Sequence, residues 1–138
     1  MQSKVIVVYH KGCMDGIAAA WVVQKHFKER FDIDVELYPG VYQEPIEMSL
    51  FKDADVVCVD FSFSLPVMNV MLSLCHSFLW LDHHKTAIEA LGDLQHPKLF
   101  NRCDITKSGC MLAWDYYYPG VTPPLAIVTG KQIGRAHV

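Results

Sequence analysis

Side chains that can ligate a metal ion are grouped at three places along the 138-residue sequence: His10, Cys13 and Asp15; Asp60; and Asp82, His83 and His84. Imidazole, thiolate and carboxylate groups are the ligands that proteins usually offer to divalent transition metals. An adjacent pair of histidines at a strand end is uncommon outside metal or phosphate sites. If the fold brings the three places together, these residue types predict a metal site.

The charge that would collect at such a site predicts more than one ion. Three carboxylates would meet there, those of Asp15, Asp60 and Asp82, and the cations nearby in the sequence are Lys11 and Lys85. Without compensation at least one carboxylate would take up a proton, because crowding of like charges raises a pKa. Two divalent ions would remove the conflict. A carboxylate that bridges two metal ions about 3.5–4 Å apart is common in sites that bind a phosphoryl group and activate a water.

The elements that would position these residues alternate between strand and helix. The predicted strands cover 4–10, 34–38, 54–61, 77–81 and 98–100. The predicted helices cover 17–30, 67–74 after a cap at Ser64, 86–92 with a capping box at its start, and 108–118. This alternation predicts an α/β fold with an open, mostly parallel sheet of about five strands flanked by helices. Ligands of such sheets bind beyond the carboxyl ends of the strands, which is where all three groups fall.

Composition excludes several classes of protein. The chain is 51% hydrophobic and 20% charged, which fits one ordinary globular domain. Its formal charge of −3 argues against a basic surface that captures long nucleic acid, and no apolar run is long enough to cross a membrane. Five cysteines without a C-x-x-C pair predict no disulfide framework. We therefore expect a cytoplasmic protein with no membrane partner.

The three groups, in this order, resemble the DHH phosphoesterase superfamily. The resemblance lies in Asp82-His83-His84 after an apolar strand, Asp60 after the preceding strand, and the segment from His10 to Gly16 after the first. The run D-H-H-K-T-A from position 82 and the run S-G-C-M-L-A-W from position 108 most resemble the small oligoribonuclease-like branch. The resemblance covers roughly residues 4–125 and implies the α/β fold described above.

The resemblance implies a set of metal ligands. His10 and Cys13 would bind the first of two divalent ions, and Asp15 and His83 would bind the second. Asp60 would bridge the two ions. The ions expected are Mn²⁺, with Mg²⁺, Zn²⁺ or Fe²⁺ as alternatives.

The resemblance also implies roles around the substrate. His84 would hold the substrate phosphate, Asp82 would orient the histidines, and Ser108 and Gly109 would lie near the substrate. The activity implied is hydrolysis of phosphodiester bonds by a water that two metal ions activate. The substrate would be a short single-stranded oligonucleotide, as for an exonuclease, or a small phosphodiester. Double-stranded nucleic acid is not expected, because duplex binding needs many Lys and Arg contacts. A homodimer is a possible assembly.

The residue at position 13 departs from the family pattern, which usually has Asp where this chain has Cys13. A thiolate ligand would shift the preference of the site toward Zn²⁺ or Fe²⁺. Alternatively, Cys13 lines the site and a water takes the place of the missing carboxylate. The departure keeps a second function open, that of a catalytically degenerate metal- or nucleotide-binding module.

The C-terminal part of the sequence is a second departure. The family carries a further metal-binding Asp and a separate substrate-binding domain beyond the helix at 108–118. We therefore interpret 1–129 as a DHH-type domain that is incomplete at its C-terminal end, so that this chain alone could be inactive. The last six residues, I-G-R-A-H-V, resemble one reading frame of a sequencing adaptor. The segment 130–138 is accordingly predicted to be a non-native tail.

Histidines and cysteines elsewhere in the chain are expected to be structural. The histidines expected to be solvated are His26, His76 and His96. The cysteines expected to be packed in the interior are Cys58, Cys75, Cys103 and Cys110, of which the last two offer a weak alternative zinc pair.

Overall fold

Five parallel strands form the centre of the computed structural model, which describes residues 4–128. The strands are β1 (Val5–His10), β2 (Glu36–Gly40), β3 (Asp55–Val59), β4 (Ser77–Leu81) and β5 (Leu99–Asn101). They lie in the order β2-β1-β3-β4-β5, and each neighbouring pair is parallel. The predicted α/β fold with a five-stranded sheet is confirmed.

Helices cover both faces of this sheet. They are α1 (Met14–Phe31), α2 (Leu65–Leu74), α3 (Lys85–Leu91) and α4 (Gly109–Tyr117), and a short 3₁₀ helix spans Met48–Phe51. Buried residues of α1 and α4 pack in one core cluster, and buried residues of α2, α3 and the 3₁₀ helix pack in the other.

Burial on both faces explains why the central strands β1, β3 and β4 are apolar without alternation. In β1, Val7 packs in the cluster with α1 and α4, whereas Val8 packs in the cluster on the opposite face. In β3, Val59 and Cys58 divide in the same way. A strand covered by helices on both sides has no solvent face, so both sets of its side chains are apolar.

The strand order places a crevice between β1 and β3. From β1 the chain passes to the edge strand β2 on one side, and from β3 it passes to β4 and β5 on the other. The connections that leave these two neighbouring strands therefore diverge, which opens a crevice beyond their carboxyl ends. His10 ends β1, and Asp60 directly follows β3. The topology thus brings the first two groups of candidate ligands to one place.

Two predicted element boundaries are wrong in ways that affect the site. Helix α1 begins at Met14 rather than at residue 17, with Cys13 as the residue before its first turn. Asp15 and Gly16 therefore lie on the helix instead of in a turn, and an acidic side chain in the first turn suits the helix dipole. Helix α3 begins at Lys85 directly after His84, so Thr86 lies inside the helix and does not cap it.

Two further differences concern the segment after α1. Strand β2 includes Pro39 and Gly40, which were predicted to follow it, and they pair with Tyr9 and His10. Proline is tolerated there because β2 is an edge strand. The 3₁₀ helix at Met48–Phe51 was not predicted.

The predicted tail at 130–138 lies outside the described residues. Within the described part of the chain, no helix combines the length and the apolar character that crossing a membrane requires.

Trp80 in β4 provides a test of the core. Its ring is 1% exposed and its Nε1 donates a hydrogen bond to the Phe61 carbonyl at 3.0 Å. Trp80→Phe loses that bond and part of the buried ring, so we expect the free energy of unfolding to fall by about 2–3 kcal/mol. Trp21→Phe is the matched control, because Trp21 is 42% exposed. Denaturant titration of both variants measures the effect, and equal losses would contradict the assignment of Trp80 to the core.

Candidate metal centre

Candidate ligands from three strand ends meet in two groups that share one residue. The first ligand group comprises His10, Cys13 and Asp60, and the second ligand group comprises Asp60, Asp82, His83 and His84. Within each group the potential ligand atoms lie within 4.8 Å of one another, so each group could hold a metal ion. The three segments predicted to converge therefore do so at the carboxyl edge of the sheet.

Asp60 is the residue common to both groups, and its two oxygens face in different directions. Oδ1 lies 2.8 Å from Nε2 of His83, and Oδ2 accepts a hydrogen bond from the Cys13 thiol at 3.1 Å. The backbone of Asp60 has a φ of 51°, in the left-handed region that residues other than glycine seldom adopt. Non-glycine residues hold this conformation where the surroundings enforce it, often at functional sites.

His83 lies between two buried carboxylates. Its Nε2 is 2.8 Å from Asp60 and 3.3 Å from Asp15, and the side chain is almost completely buried. Burial disfavours the imidazolium, but the hydrogen bonds and negative charges of Asp15 and Asp60 outweigh that cost and raise the pKa of His83 to about 10. In the metal-free protein His83 is therefore the positive charge at the centre of the site.

This arrangement corrects the expectation that an uncompensated carboxylate takes up a proton. Burial favours the neutral form of Asp15, but hydrogen bonds from His83 and from backbone N–H groups overcome it and lower its pKa. The compensating proton resides on a histidine and not on this carboxyl group. Lys85, one of the two cations considered from the sequence, has an exposed side chain that pairs with Glu89 on its own helix.

Asp15, which was predicted to be a metal ligand, also makes hydrogen bonds to the backbone of α4. Its Oδ2 accepts the backbone N–H of Gly109 and its Oδ1 accepts that of Cys110, both at 2.8 Å. Asp15 thus ties the first turn of α1 to the first turn of α4, and it belongs to neither ligand group. Its Oδ2 also lies 3.3 Å from Nε2 of His83, and its part as a ligand in the second metal site stays a prediction.

Asp82 contacts the ring of His84 and the backbone of His83, and an orienting effect on the His83 ring stays a prediction. Oδ1 of Asp82 lies 2.6 Å from Nδ1 of His84 and accepts the backbone N–H of His83 at 2.8 Å. The hydrogen bond from Asp82 is the largest influence on His84 and raises its pKa, although burial opposes the shift. The His84 side chain is 31% exposed, in contrast to the buried Asp82 and His83.

Two buried atoms at this site have no hydrogen-bond partner. Among the described residues these are Oδ2 of Asp82 and Nδ1 of His83, and both belong to the second ligand group. Buried polar groups are almost always satisfied, so an unpaired atom points to a water or an ion. Nδ1 of His83 carries a proton in the imidazolium form and therefore needs an acceptor such as a water. Oδ2 of Asp82, in contrast, is a metal-ligand atom without a partner in the described part of the chain. The residues present therefore fit a bound cation.

Cys13 carries a proton when no metal is bound. Burial and the neighbouring Asp60 raise the pKa of its thiol to about 11, against opposing backbone hydrogen bonds. A metal ion that uses Cys13 as a ligand must displace that proton, as it must displace the proton of His83.

Glycine is required where α4 approaches the site. A Cβ added at Gly109 would lie 2.8 Å from Cβ of Asp60 and 3.2 Å from Oδ2 of Asp15, closer than real side chains come. The neighbouring Ser108 is 1% exposed, and its hydroxyl accepts the Met111 N–H as the helix cap. Both residues are buried at the site, where their contacts are with the protein. Contact with a substrate stays a prediction for them.

The structural interpretation of the remaining cysteines holds, and that of one histidine does not. Cys103 packs against the cluster on the α2 face, whereas Cys110 lies in the cluster on the α1 face. The sheet therefore separates the two thiols of the weak alternative zinc pair. His26 was expected to be solvated, but its ring packs 4.4 Å from that of Tyr117, and burial lowers its pKa.

Two aromatic residues beside the site were not predicted. The ring of Tyr42 lies 5.3 Å from that of His10, and the ring of Phe61 lies 6.1 Å from it. Tyr42 belongs to the loop after β2, and Phe61 directly follows Asp60. Nothing in the local sequence distinguishes either from an ordinary core aromatic.

Comparisons with known proteins give one relative and no family. No protein-family model matches the chain, and no solved structure matches it. An uncharacterised protein of Acanthamoeba polyphaga mimivirus is 29% identical over 141 aligned residues, which cover 93% of this chain. The alignment covers 33% of the viral protein, so the chain spans about a third of that relative's length.

The pKa of His83 predicts how stability depends on pH without metal. The folded-state pKa of about 10 lies above the ordinary value of 6.5, so the stabilising contribution is complete below pH 6.5. It is lost as the pH rises through 10. We expect the free energy of unfolding to fall as the pH rises from about 6.5 to about 10, and the fall to be smaller in His83→Gln.

The matched control is His76→Gln, which alters an exposed imidazole on another part of the surface. It is expected to keep the wild-type slope. NMR titration of the His83 ring gives a direct readout that does not need the variant to fold. An imidazole that titrates near its ordinary pKa would contradict the prediction.

Proposed function

We propose that this chain is the metal-binding domain of a metal-dependent phosphoesterase of the DHH type, which hydrolyses short oligonucleotides or small phosphodiesters. The observation that carries the proposal is the position of Asp60 between two ligand groups, with one carboxylate oxygen toward each. A carboxylate shared by two metal ions is the usual core of a binuclear phosphoesterase site. The proposal thus includes two ions, with Mn²⁺ as the first candidate.

The residues divide between the two ions as follows. His10, Cys13 and Asp60 would hold one ion. Asp60, Asp15 and His83 would hold the other. The buried Oδ2 of Asp82, which lacks a hydrogen-bond partner among the described residues, supports a cation in the second ligand group. When bound, the ions would supply an activated water and would neutralise charge on the phosphate.

His84 is the residue best placed to contact the substrate phosphate. It is the partly exposed member of the second ligand group, and the short contact with Asp82 fixes its ring through Nδ1. Nε2 of His84 lies 3.9 Å from Oδ1 of Asp60, so a group held by His84 would also be close to the shared carboxylate. The raised pKa of His84 favours its protonated form, which donates a charged hydrogen bond to an anion.

A binding module without turnover is the second candidate, and two observations favour it. Both oxygens of Asp15 accept backbone N–H groups, and the Cys13 thiol is protonated without metal. The hydrogen bonds to Asp15 and the proton on Cys13 both compete with a bound metal ion. Phosphodiester binding without hydrolysis would favour this candidate.

Asp60→Asn tests the shared carboxylate. Replacing one charged oxygen by an amide removes a ligand common to both groups, so we expect the bound Mn²⁺ to fall from two ions to one or none. Any Mn²⁺-dependent hydrolysis of a phosphodiester dinucleotide should fall by about a hundredfold or more. Elemental analysis of protein purified without a metal-binding tag gives the metal content, and a dinucleotide assay gives the rate.

The matched control for Asp60→Asn is Asp93→Asn, which makes the same change at an exposed loop position. Asp93→Asn should leave the Mn²⁺ content and the rate of hydrolysis unchanged. Two ions retained in Asp60→Asn would contradict the shared-carboxylate site. Two ions in the wild type without hydrolysis would leave the metal site in place and favour the binding module.

Cys13→Asp tests whether the thiol is a ligand. Carboxylate is a harder ligand than thiolate, so we expect the ratio of Zn²⁺ affinity to Mn²⁺ affinity to fall by about tenfold or more. Competition titration with both metals measures the ratio. Cys75→Ser is the control, because Cys75 precedes β4 and so lies at the edge of the sheet opposite the ligand groups. An unchanged ratio would indicate that Cys13 only lines the site.

A further inference from the structure

A groove of about 900 Å³ lies directly beside the second ligand group. It runs between the loop that follows β2 and the first turns of α2 and α3. Its lining includes Tyr42, Phe61, Ser64, Thr86 and His84. Because His84 is also a member of the second ligand group, the groove is continuous with the candidate metal centre. The volume falls within the range of sites for small organic ligands.

Tyr42 and Phe61 form an aromatic platform in this groove. Their rings are stacked, with centroids 4.5 Å apart and planes inclined by 22°. Phe61 is buried, whereas Tyr42 is 45% exposed. The edge-to-face contact between Tyr42 and His10 joins the platform to the first ligand group. The platform therefore extends from the candidate metal centre into the groove.

The platform is held rigidly from below. The Phe61 carbonyl accepts hydrogen bonds from the Cys58 thiol at 3.2 Å and from Trp80 Nε1 at 3.0 Å. The Phe61 ring packs on Gly40, where an added Cβ would lie 2.8 Å from the ring. A stacking surface fixed before binding loses little conformational entropy when a ligand arrives.

The charged residues that line the groove disfavour binding of a ligand with several negative charges. Among the described residues that line it, Glu44 carries the one formal charge apart from the titratable His84. Much of the remaining lining is apolar, with hydroxyl groups at Ser62, Ser64 and Thr86. A neutral, flat group with polar edges fits this lining, whereas a second phosphate would meet a carboxylate and no lysine or arginine.

We propose that the groove binds the nucleobase of a nucleotide whose phosphate lies at the two ligand groups, and that the base stacks on Tyr42. This inference rests on the proposed function, because it takes the phosphate position from it. Stacking on an aromatic ring tolerates any base, since every base has a π-face. The substrate class is thereby narrowed to nucleotide phosphodiesters.

The test compares two phosphate ligands that differ in the base. AMP and ribose 5-phosphate are titrated calorimetrically into the Mn²⁺-loaded protein. The wild type is expected to bind AMP about tenfold more tightly or better, which is what one stacked base contributes. In Tyr42→Ala the affinity for AMP should fall to that for ribose 5-phosphate, whose own affinity should not change.

Two further variants separate stacking from general damage. Tyr42→Phe keeps the ring and should keep the preference for AMP. Tyr116→Ala removes a tyrosine of the same exposure from α4 and should also keep it. Equal affinities for the two ligands in the wild type, no saturable binding of AMP, or parallel loss of both affinities in Tyr42→Ala would overturn the proposal.

The AMP-binding test and the hydrolysis test can give different answers, so failure of the groove proposal can be distinguished from failure of the proposed function. If the protein hydrolyses a dinucleotide but does not distinguish AMP from ribose 5-phosphate, the groove proposal fails and the phosphoesterase stands. If a Tyr42-dependent preference for AMP is found without hydrolysis, the groove proposal stands and the binding module is favoured over the phosphoesterase.

Discussion

Three buried carboxylates at one edge of a sheet are the constraint on which the rest of the site depends. Asp15, Asp60 and Asp82 are each almost fully excluded from solvent, and burial of unpaired charge is costly. The protein meets that cost with His83, whose proton lies between two of the carboxylates, and with backbone N–H groups directed at Asp15. A core without a ligand to hold would be more stable with apolar residues at these positions. The charge is therefore best understood as binding capacity for cations.

The sharp change of chain direction at Asp60 and Phe61 links the candidate metal centre to the neighbouring groove. The left-handed backbone at Asp60 follows directly from the end of β3, and the next residue is anchored through its carbonyl by Trp80. As a result, these two consecutive side chains belong to different parts of the site. The carboxylate of Asp60 lies between the ligand groups, and the ring of Phe61 stacks against Tyr42 in the groove. A small shift in β3 would disturb both, which explains why the surrounding contacts are so close.

The sequence was sufficient to predict the sheet and the convergence of three strand ends. Strands such as β1 and β4 are short apolar runs, and parallel strands must present their carboxyl ends at one edge. His10, Asp60 and His83 could be placed together on those grounds, and the structure brings them together. The start of α1 was misjudged because the apolar pattern begins at residue 17, while the first helical turn contains Asp15 and Gly16, which that pattern does not include.

What could not be predicted depends on contacts between residues far apart in the sequence. Asp15 and Gly109 are 94 positions apart, and no local pattern indicates that the carboxylate of one accepts the N–H of the other. That contact joins α1 to α4 through Asp15, and Gly109 lets α4 approach closely enough to make it. The Asp15 carboxylate therefore has two effects. It raises the pKa of His83, and it joins helices α1 and α4. The resemblance assigned Asp15 by its position in the motif after β1, and that motif does not show that both oxygens of Asp15 also accept N–H groups from α4.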